Sequence, residues 1–213
     1  MKQYPNPLEA ADDLARERLS DTRYAHTLRV ADTAERLAEI HGLDQPRTRL
    51  AALLHDAARE LPAGEYLRIS EEWDLQVGEP ERESPKLLHG PVAAELARKD
   101  LGVEDEEVLD AVRVHTVGSP GMSPLALALY VADKIEPARD YPSVGRLRNL
   151  AEKDLHEATR EALRRSRDYN EQRGHPTHPV SLKTLAWLEE TVHGRVDQRD
   201  GDPDENEHGQ RHE

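Results

Sequence analysis

The sequence predicts an all-α fold, a compact bundle of roughly ten helices. Three observations carry that expectation. Apolar residues recur at helical spacing through most of the chain, as at Leu28, Ala31, Ala34, Leu37 and Ala38. No stretch alternates β-branched apolar residues with polar ones, and no internal repeat is present. Helix starts and stops punctuate the chain, with Asn6-Pro7, Ser20-Asp21, Asp44-Gln45-Pro46 and Ser123-Pro124 as starts and Gly42 and Pro137 as stops.

The elements follow in order. Asn6 caps a first helix with Pro7 in its first turn and Glu9 at N3, running to about Leu19. Ser20-Asp21 opens a longer helix to His41, with His26 on the flank of its apolar stripe and Arg23 one turn earlier. A third helix begins after Asp44 and carries Leu50, Leu53 and Leu54 into His55-Asp56, ending before Pro62. A short helix is expected over 64–72, and a polar surface loop over 73–86, where Gly78, Pro80 and Pro85 fall. His89-Gly90-Pro91 stands at the mouth of a helix to about Lys99. Further helices are expected over 103–115, 125–135, 144–152, 155–173 and 180–192, with a Gly- and Pro-containing loop at 116–122.

Composition narrows the function classes. A chain of 213 residues suits one domain with a large buried core, read as 1–193 with its centre at about 20–190. Residues 194–213 are charged and nearly free of apolar side chains, which predicts a disordered acidic tail. Cysteine is absent, so no disulfide framework or thiolate metal site exists, and any metal must be held by His, Asp or Glu. The 43 acidic residues against 29 basic ones give a net charge of −14, which argues against nucleic-acid binding. No apolar run approaches the length of a membrane span, and the first residues carry no signal-peptide pattern, so a cytoplasmic protein is expected. With no Phe and two Trp, the core must be mostly Leu, Ala and Val.

The chemistry is read from polar residues set in apolar runs: His26, His55, Asp56, His115 and Asp133. His55 and Asp56 are adjacent in a helical run, about 100° apart around the axis, and can still converge on one ion beside the helix. A buried His-Asp pair is costly unless something satisfies it, and a divalent metal does so. Asp133 follows Leu125-Ala126-Leu127-Ala128-Leu129-Tyr130-Val131-Ala132 and needs a cation there, either Lys134 or Arg139 in an ion pair, or a metal. Two His and two Asp make a mixed nitrogen and oxygen donor set that suits iron, manganese or another first-row divalent ion.

His26, His55-Asp56 and Asp133, in that order on helices, resemble the HD superfamily of metal-dependent phosphohydrolases, whose domain is a helical bundle. Four blocks, residues 53–62, 87–94, 111–118 with Met122, and 129–142, are similar to the YqeK-type bacterial proteins, which are symmetrical diadenosine tetraphosphate hydrolases. The resemblance covers about residues 20–190. It implies His26, His55, Asp56 and Asp133 as metal ligands, with iron as the ion and one or two ions bound.

His89 and His115 are then expected to face the substrate phosphates, to serve the chemistry, or to help hold a second ion. The plain alternatives are an exposed helix-mouth His89 and a satisfied core His115. Arg23 and Arg59 are expected beside the metal, where a guanidinium matches phosphate oxygens in bidentate fashion. The family commonly has Lys where Arg59 stands. Thr116 and Gly118 are candidate phosphate contacts through their backbone N–H groups, and Lys134 and Arg139 through their charges. Glu136 is read as a structural partner for Arg139 or Arg23. The 175–179 stretch resembles the family's late loop near the nucleoside.

The reaction so implied is metal-dependent hydrolysis of diadenosine tetraphosphate to two ADP. The partners are then a small dinucleoside polyphosphate or ADP, with neither nucleic acid nor membrane, and a homodimer is an admissible assembly. Two other readings keep the same site: action on another nucleotide, as a nucleotidase or triphosphohydrolase, or a nucleotide-binding sensor with little turnover.

Overall fold

A computed structural model describes residues 6–199 of the chain, with side chains over 6–192. The described residues form eleven α-helices and one 3-10 turn, with no strand. In order these are α1 (Pro7–Arg18), α2 (Asp21–His41), α3 (Gln45–Leu54), α4 (Ala63–Glu72), α5 (Glu79–Glu83), the 3-10 turn Pro85–Leu88, α6 (His89–Leu101), α7 (Glu106–Val114), α8 (Pro124–Ile135), α9 (Val144–Ala151), α10 (Leu155–Gln172) and α11 (Pro179–Arg199).

The expected caps are in place. Asn6 Oδ1 accepts from the Leu8 N–H, Asp44 Oδ1 from the Arg47 N–H, and Ser123 Oγ from the Ala126 N–H. Each satisfies an amide that a helix start leaves unpaired. α8 runs through the centre, buried at every position from Leu125 to Asp133. It packs against α2, α7 and α10, while α3 packs against α1, α2 and α7. The core is Leu, Ala and Val with Tyr66 and Tyr130 as the largest fully buried side chains. The buried face of α2 takes in His26 and Thr27 beside Val30, Ala31 and Ala34, so His26 lies on the core face rather than on its flank.

Three expectations are corrected. α3 stops at Leu54, and 55–60 continue as turns with Ala57 N–H on Leu54 O (3.0 Å) and Arg59 N–H on Asp56 O (2.7 Å). His55 and Asp56 therefore sit just past a helix end, not inside a helix. The stretch 73–86 is not a plain loop, because Glu81 Oε2 accepts the Gly78 N–H at 2.9 Å and starts the short α5. α11 extends to Arg199, so 194–199 are helical where the acidic tail was expected to be disordered. The rest of that expected tail, 200–213, lies outside the described residues.

Candidate metal centre

Three histidines reach the site by one local device. His55 follows the last residue of α3, His89 follows the 3-10 turn and His115 follows α7. Their Nδ1–H groups donate to the carbonyls three residues earlier: His55 to Ala52 at 2.6 Å, His89 to Lys86 at 2.6 Å, and His115 to Val112 at 2.7 Å. The last carbonyls of a helix have no partner within it, so His55 and His115 fill a vacancy the backbone leaves, while His89 shares the Lys86 carbonyl with its own backbone N–H. The proton is thereby held on Nδ1, and Nε2 presents a lone pair. His26 lies within α2, and its Nδ1 faces Glu136 Oε1 at 3.2 Å, which leaves Nε2 turned inward as well.

The four Nε2 atoms converge on Asp56. Its Oδ2 lies 3.4 Å from His55 Nε2 and 3.9 Å from His26 Nε2. Its Oδ1 lies 3.4 Å from His89 Nε2 and 3.9 Å from His115 Nε2. Among the described residues this gives two donor groups, His26-His55-Asp56 and Asp56-His89-His115, each with ligand atoms within 4.8 Å of one another. Asp133 joins the first group at His26 Nε2, 3.1 Å from its Oδ1. All six side chains are buried. His89 is thus buried rather than exposed at the helix mouth.

These residues suit a divalent ion on the evidence of their own satisfaction. His26 Nε2 and His55 Nε2 are buried and make no hydrogen bond, although carboxylate oxygens stand close by. A lone pair facing an anionic oxygen is unfavourable until a cation is shared between them. Imidazole nitrogen and carboxylate oxygen are the donors that first-row divalent ions take.

The buried carboxylates and imidazoles perturb one another. Burial acts to raise the Asp56 pKa, but His55, with His89 and His115, overrides it and holds the carboxyl well below the usual range. Burial likewise opposes ionisation of Asp133, and Lys134, His26 and His55 outweigh it. Burial lowers the His89 pKa, and burial with the neighbouring imidazoles puts His115 well below its ordinary value. These shifts favour the neutral form that ligation requires, whereas at His55 burial is outweighed by Asp56 and the pKa is raised.

Cations surround the centre. Arg23 Nη1 donates to Asp56 Oδ2 at 3.1 Å, and Arg59 Nη1 lies 3.1 Å from His89 Nδ1. Lys134 Nζ donates to Asp133 Oδ2 at 2.8 Å and Arg139 Nη2 to Asp133 Oδ1 at 2.9 Å, so both ion pairs considered for Asp133 are present. The Thr116 hydroxyl stands 3.1 Å from His89 Nε2 and 3.3 Å from His115 Nε2. The Gly118 N–H is spent on Val114 O at 2.7 Å, and the residue's φ of +77° and its approach to Thr184 account for the glycine. Its expected role as an amide donor to phosphate is withdrawn.

A cavity of about 820 Å³ opens beside Thr116, walled by Tyr130, Leu163, Ser166, Asn170 and the 175–179 loop. That volume lies in the range of small-molecule sites. His178, in that loop, bonds Glu81 of α5 at 2.9 Å. Sequence reasoning did not find Ser166 and Asn170, which read as ordinary polar positions of an amphipathic helix. It also passed over Tyr66, whose hydroxyl lies 2.8 Å from Ala58 O and 3.0 Å from Arg59 O and ties down the turn after Asp56. The sole signal for Tyr66 was a large aromatic in a short helix.

Known proteins resemble this chain over most of its length. Residues 23–138 match the HD domain family. The chain is 37% identical over 180 residues to a symmetrical bis(5'-nucleosyl)-tetraphosphatase of Bacillus subtilis, covering 84% of this chain and 96% of that one. It is 38% identical over 144 residues to the protein of the same name from Staphylococcus aureus, covering 68% and 74%. Among solved structures it resembles a predicted HD superfamily hydrolase involved in NAD metabolism from Clostridium acetobutylicum, with a TM-score of 0.83 at 34% identity over 86% of this chain and 97% of that one.

Proposed function

Because the chain belongs to the HD domain family of metal-dependent phosphohydrolases, we propose that it hydrolyses diadenosine tetraphosphate symmetrically to two ADP. The observation that carries this reading is Asp56, whose two carboxylate oxygens each face a separate pair of imidazoles beside a nucleotide-sized cavity. His26, His55, Asp56 and Asp133 would hold one ion, and Asp56, His89 and His115 would hold a second. We assign iron, with manganese or another divalent first-row ion as a substitute, because imidazole and carboxylate donors suit both. Bound there, such ions lower the pKa of water and polarise a phosphoryl oxygen.

The chain's own residues do the rest. One nucleoside enters the cavity beside Thr116, and two phosphates span from it to the cluster. The bond cut is then the one between the second and third phosphates. Water adds to one inner phosphorus, the P–O bond to the bridging oxygen breaks, and that oxygen leaves on ADP, so both products are ADP. Arg23 and Arg59, both partly exposed, flank Asp56 and offset charge on the phosphate chain, the largest contribution to phosphoryl transfer. Lys134 and Arg139 add charge from the Asp133 side. His89 and His115 act as neutral ligands rather than as acids, and Thr116 orients them. A terminal phosphate oxygen of ADP is a good enough leaving group to depart without a proton donor.

No described helix is long and apolar enough to cross a membrane. With a nucleotide as substrate, we place the enzyme in the cytoplasm. A homodimer and a single domain over 1–193 complete the reading, to be checked by sizing and limited proteolysis. The deciding test is product analysis of metal-loaded protein with diadenosine tetraphosphate. ADP alone is expected. ATP with AMP, inorganic phosphate, or tight binding without turnover would each sink the proposal.

A further inference from the structure

Of the four histidines at the centre, His26 alone lacks a local partner for its Nδ1. The Nδ1 atoms of His55, His89 and His115 each face the backbone carbonyl three residues earlier. His26 lies inside α2, where the carbonyls of the preceding turn already accept from helix N–H groups. An acceptor must come from elsewhere in the fold. It comes from Glu136, 110 residues away in sequence, whose Oε1 stands 3.2 Å from His26 Nδ1.

Glu136 is built for that place. It is 2% exposed and follows the last residue of α8, three residues after Asp133. Its Oε2 accepts from Arg29 Nε at 2.7 Å and from the Ala138 N–H at 2.7 Å. The loop that carries it is held by Arg148, which donates to the carbonyls of Ile135 (2.9 Å), Glu136 (3.0 Å) and Arg139 (2.9 Å). One oxygen is thus occupied by the scaffold, and the other faces His26, with Arg139 Nε farther off at 3.7 Å. Arg29 lies one turn beyond His26 on α2, so the same helix supplies both the imidazole and the cation that keeps its partner charged.

We propose that Glu136 is a positioning residue for His26: it holds the proton on Nδ1, aims Nε2 at Asp56 and Asp133, and strengthens that nitrogen as a metal ligand. The inference rests on the reading of His26 as a ligand. A carboxylate on the far nitrogen of a metal-bound imidazole sets its tautomer and raises its basicity. The consequence is an asymmetry between the two halves of the centre. The His26 Nδ1 depends on one distant side chain, whereas the Nδ1 atoms of His89 and His115 face backbone carbonyls three residues away.

The test uses full-length wild type, Glu136→Ala, Glu136→Gln and His26→Ala. Affinity for Mn²⁺ and Co²⁺ is read by chelator competition, and the His26 ring tautomer by ¹⁵N chemical shifts of the metal-free protein. Glu136→Ala should weaken the ion that His26→Ala loses by about 10–100-fold and leave the other ion unchanged. Its His26 ring should pass from Nδ1–H to a mixture of tautomers. Glu136→Gln should shift both readouts in the same direction by less, since its amide oxygen accepts without charge. Hydrolysis by Glu136→Ala should return as metal is raised.

Unchanged metal affinity in Glu136→Ala, with or without a lower Tm, overturns the proposal and leaves a purely structural residue. If Glu136→Ala does not fold, wild-type affinity and tautomer in Glu136→Gln overturn it equally. If His26→Ala binds both ions as wild type does, the ligand reading of His26 is the part that fails. The tautomer result then shows separately whether Glu136 orients the ring.

Discussion

His89 Nε2 lies 3.0 Å from His115 Nε2, although the two residues belong to different helix ends. Gly90 is what permits it. A Cβ there would stand 2.8 Å from Arg113 O, 3.0 Å from Val112 O and 3.3 Å from His115 Nδ1. Two of those atoms are backbone and cannot swing away, so Gly90→Ala must push α6 from the end of α7. We expect a loss of about 1–3 kcal/mol of stability, as for other overpacked sites. Hydrolysis should fall beyond what partial unfolding explains. Thermal melts with activity assays on the folded fraction check this, and a variant with wild-type Tm and activity refutes the close-contact role.

Asp56 serves both donor groups, so its loss should disable the whole centre. Asp56→Asn is expected to lower hydrolysis by more than about 100-fold, the upper end for removing an outer partner of a ligand. Metal content, read by mass spectrometry, should fall for both ions. Loss of a single ion would show that Asp56 does not bridge.

Chelation should abolish hydrolysis while leaving helical circular dichroism largely intact, because the apolar core around α8 does not depend on the ions. Restoring divalent metal at 100 times its Kd should stabilise the fold by about 2.7 kcal/mol, seen as a higher Tm. Iron is expected to restore the highest rate. Full activity after exhaustive chelation would contradict a metal-dependent site.

Arg59 reaches the centre from the solvent side beside His89. Arg59→Ala should cut kcat on the order of 10²-fold, as for loss of one donor to developing charge. Arg59→Lys should recover part of that, since it keeps the charge and loses the planar fork. Steady-state kinetics separate the two. Equal rates for Ala and wild type would remove Arg59 from the substrate.

Asp105 caps α7 and pairs with Arg47 of α3 through bonds of 2.6 and 2.7 Å, which ties the helix that carries His115 to the helix that carries His55. The Arg47 pairing, against a smaller effect of burial, holds the Asp105 carboxyl below its usual range. A depressed carboxyl pKa contributes stability above the unfolded value of about 3.9 and loses it as pH falls through the folded pKa. Wild type should therefore be more stable than Asp105→Asn at neutral pH, with the gap closing below about pH 4. Denaturant melts across pH measure it, and a gap that does not change with pH would rule out the ion pair as its source.

The fold was legible because its signals are local. Helical periodicity, caps such as Asn6 and Asp44, and stops such as Pro137 each act within a few residues of chain. The candidate ligands were legible for a related reason: a His or Asp in an apolar run stands out without knowledge of its partner. Where such reasoning failed, the deciding contact was distant. Gly118 looked like a phosphate-binding turn, and its amide proved to be taken by Val114 O. Glu136 was expected to pair with Arg139 or Arg23; Arg139 Nε does lie 3.7 Å from its Oε1, but the nearer partners, Arg29 at 2.7 Å and His26 at 3.2 Å, were not foreseen.

By itself, then, the sequence determined an all-α bundle, the order of its helices, and the identities of His26, His55, Asp56, His115 and Asp133 as polar groups set in apolar runs, with His89 added only by the family resemblance. Only the tertiary structure decided that α3 ends before His55, that Asp56 divides its oxygens between two imidazole pairs, that Gly90 lets α6 meet α7, and that Glu136 reaches His26. The physical reason is separation along the chain. Periodicity and capping energies depend on neighbours within a turn or two, whereas a contact such as His26 to Glu136 spans 110 residues and exists only once α2 and α8 have packed.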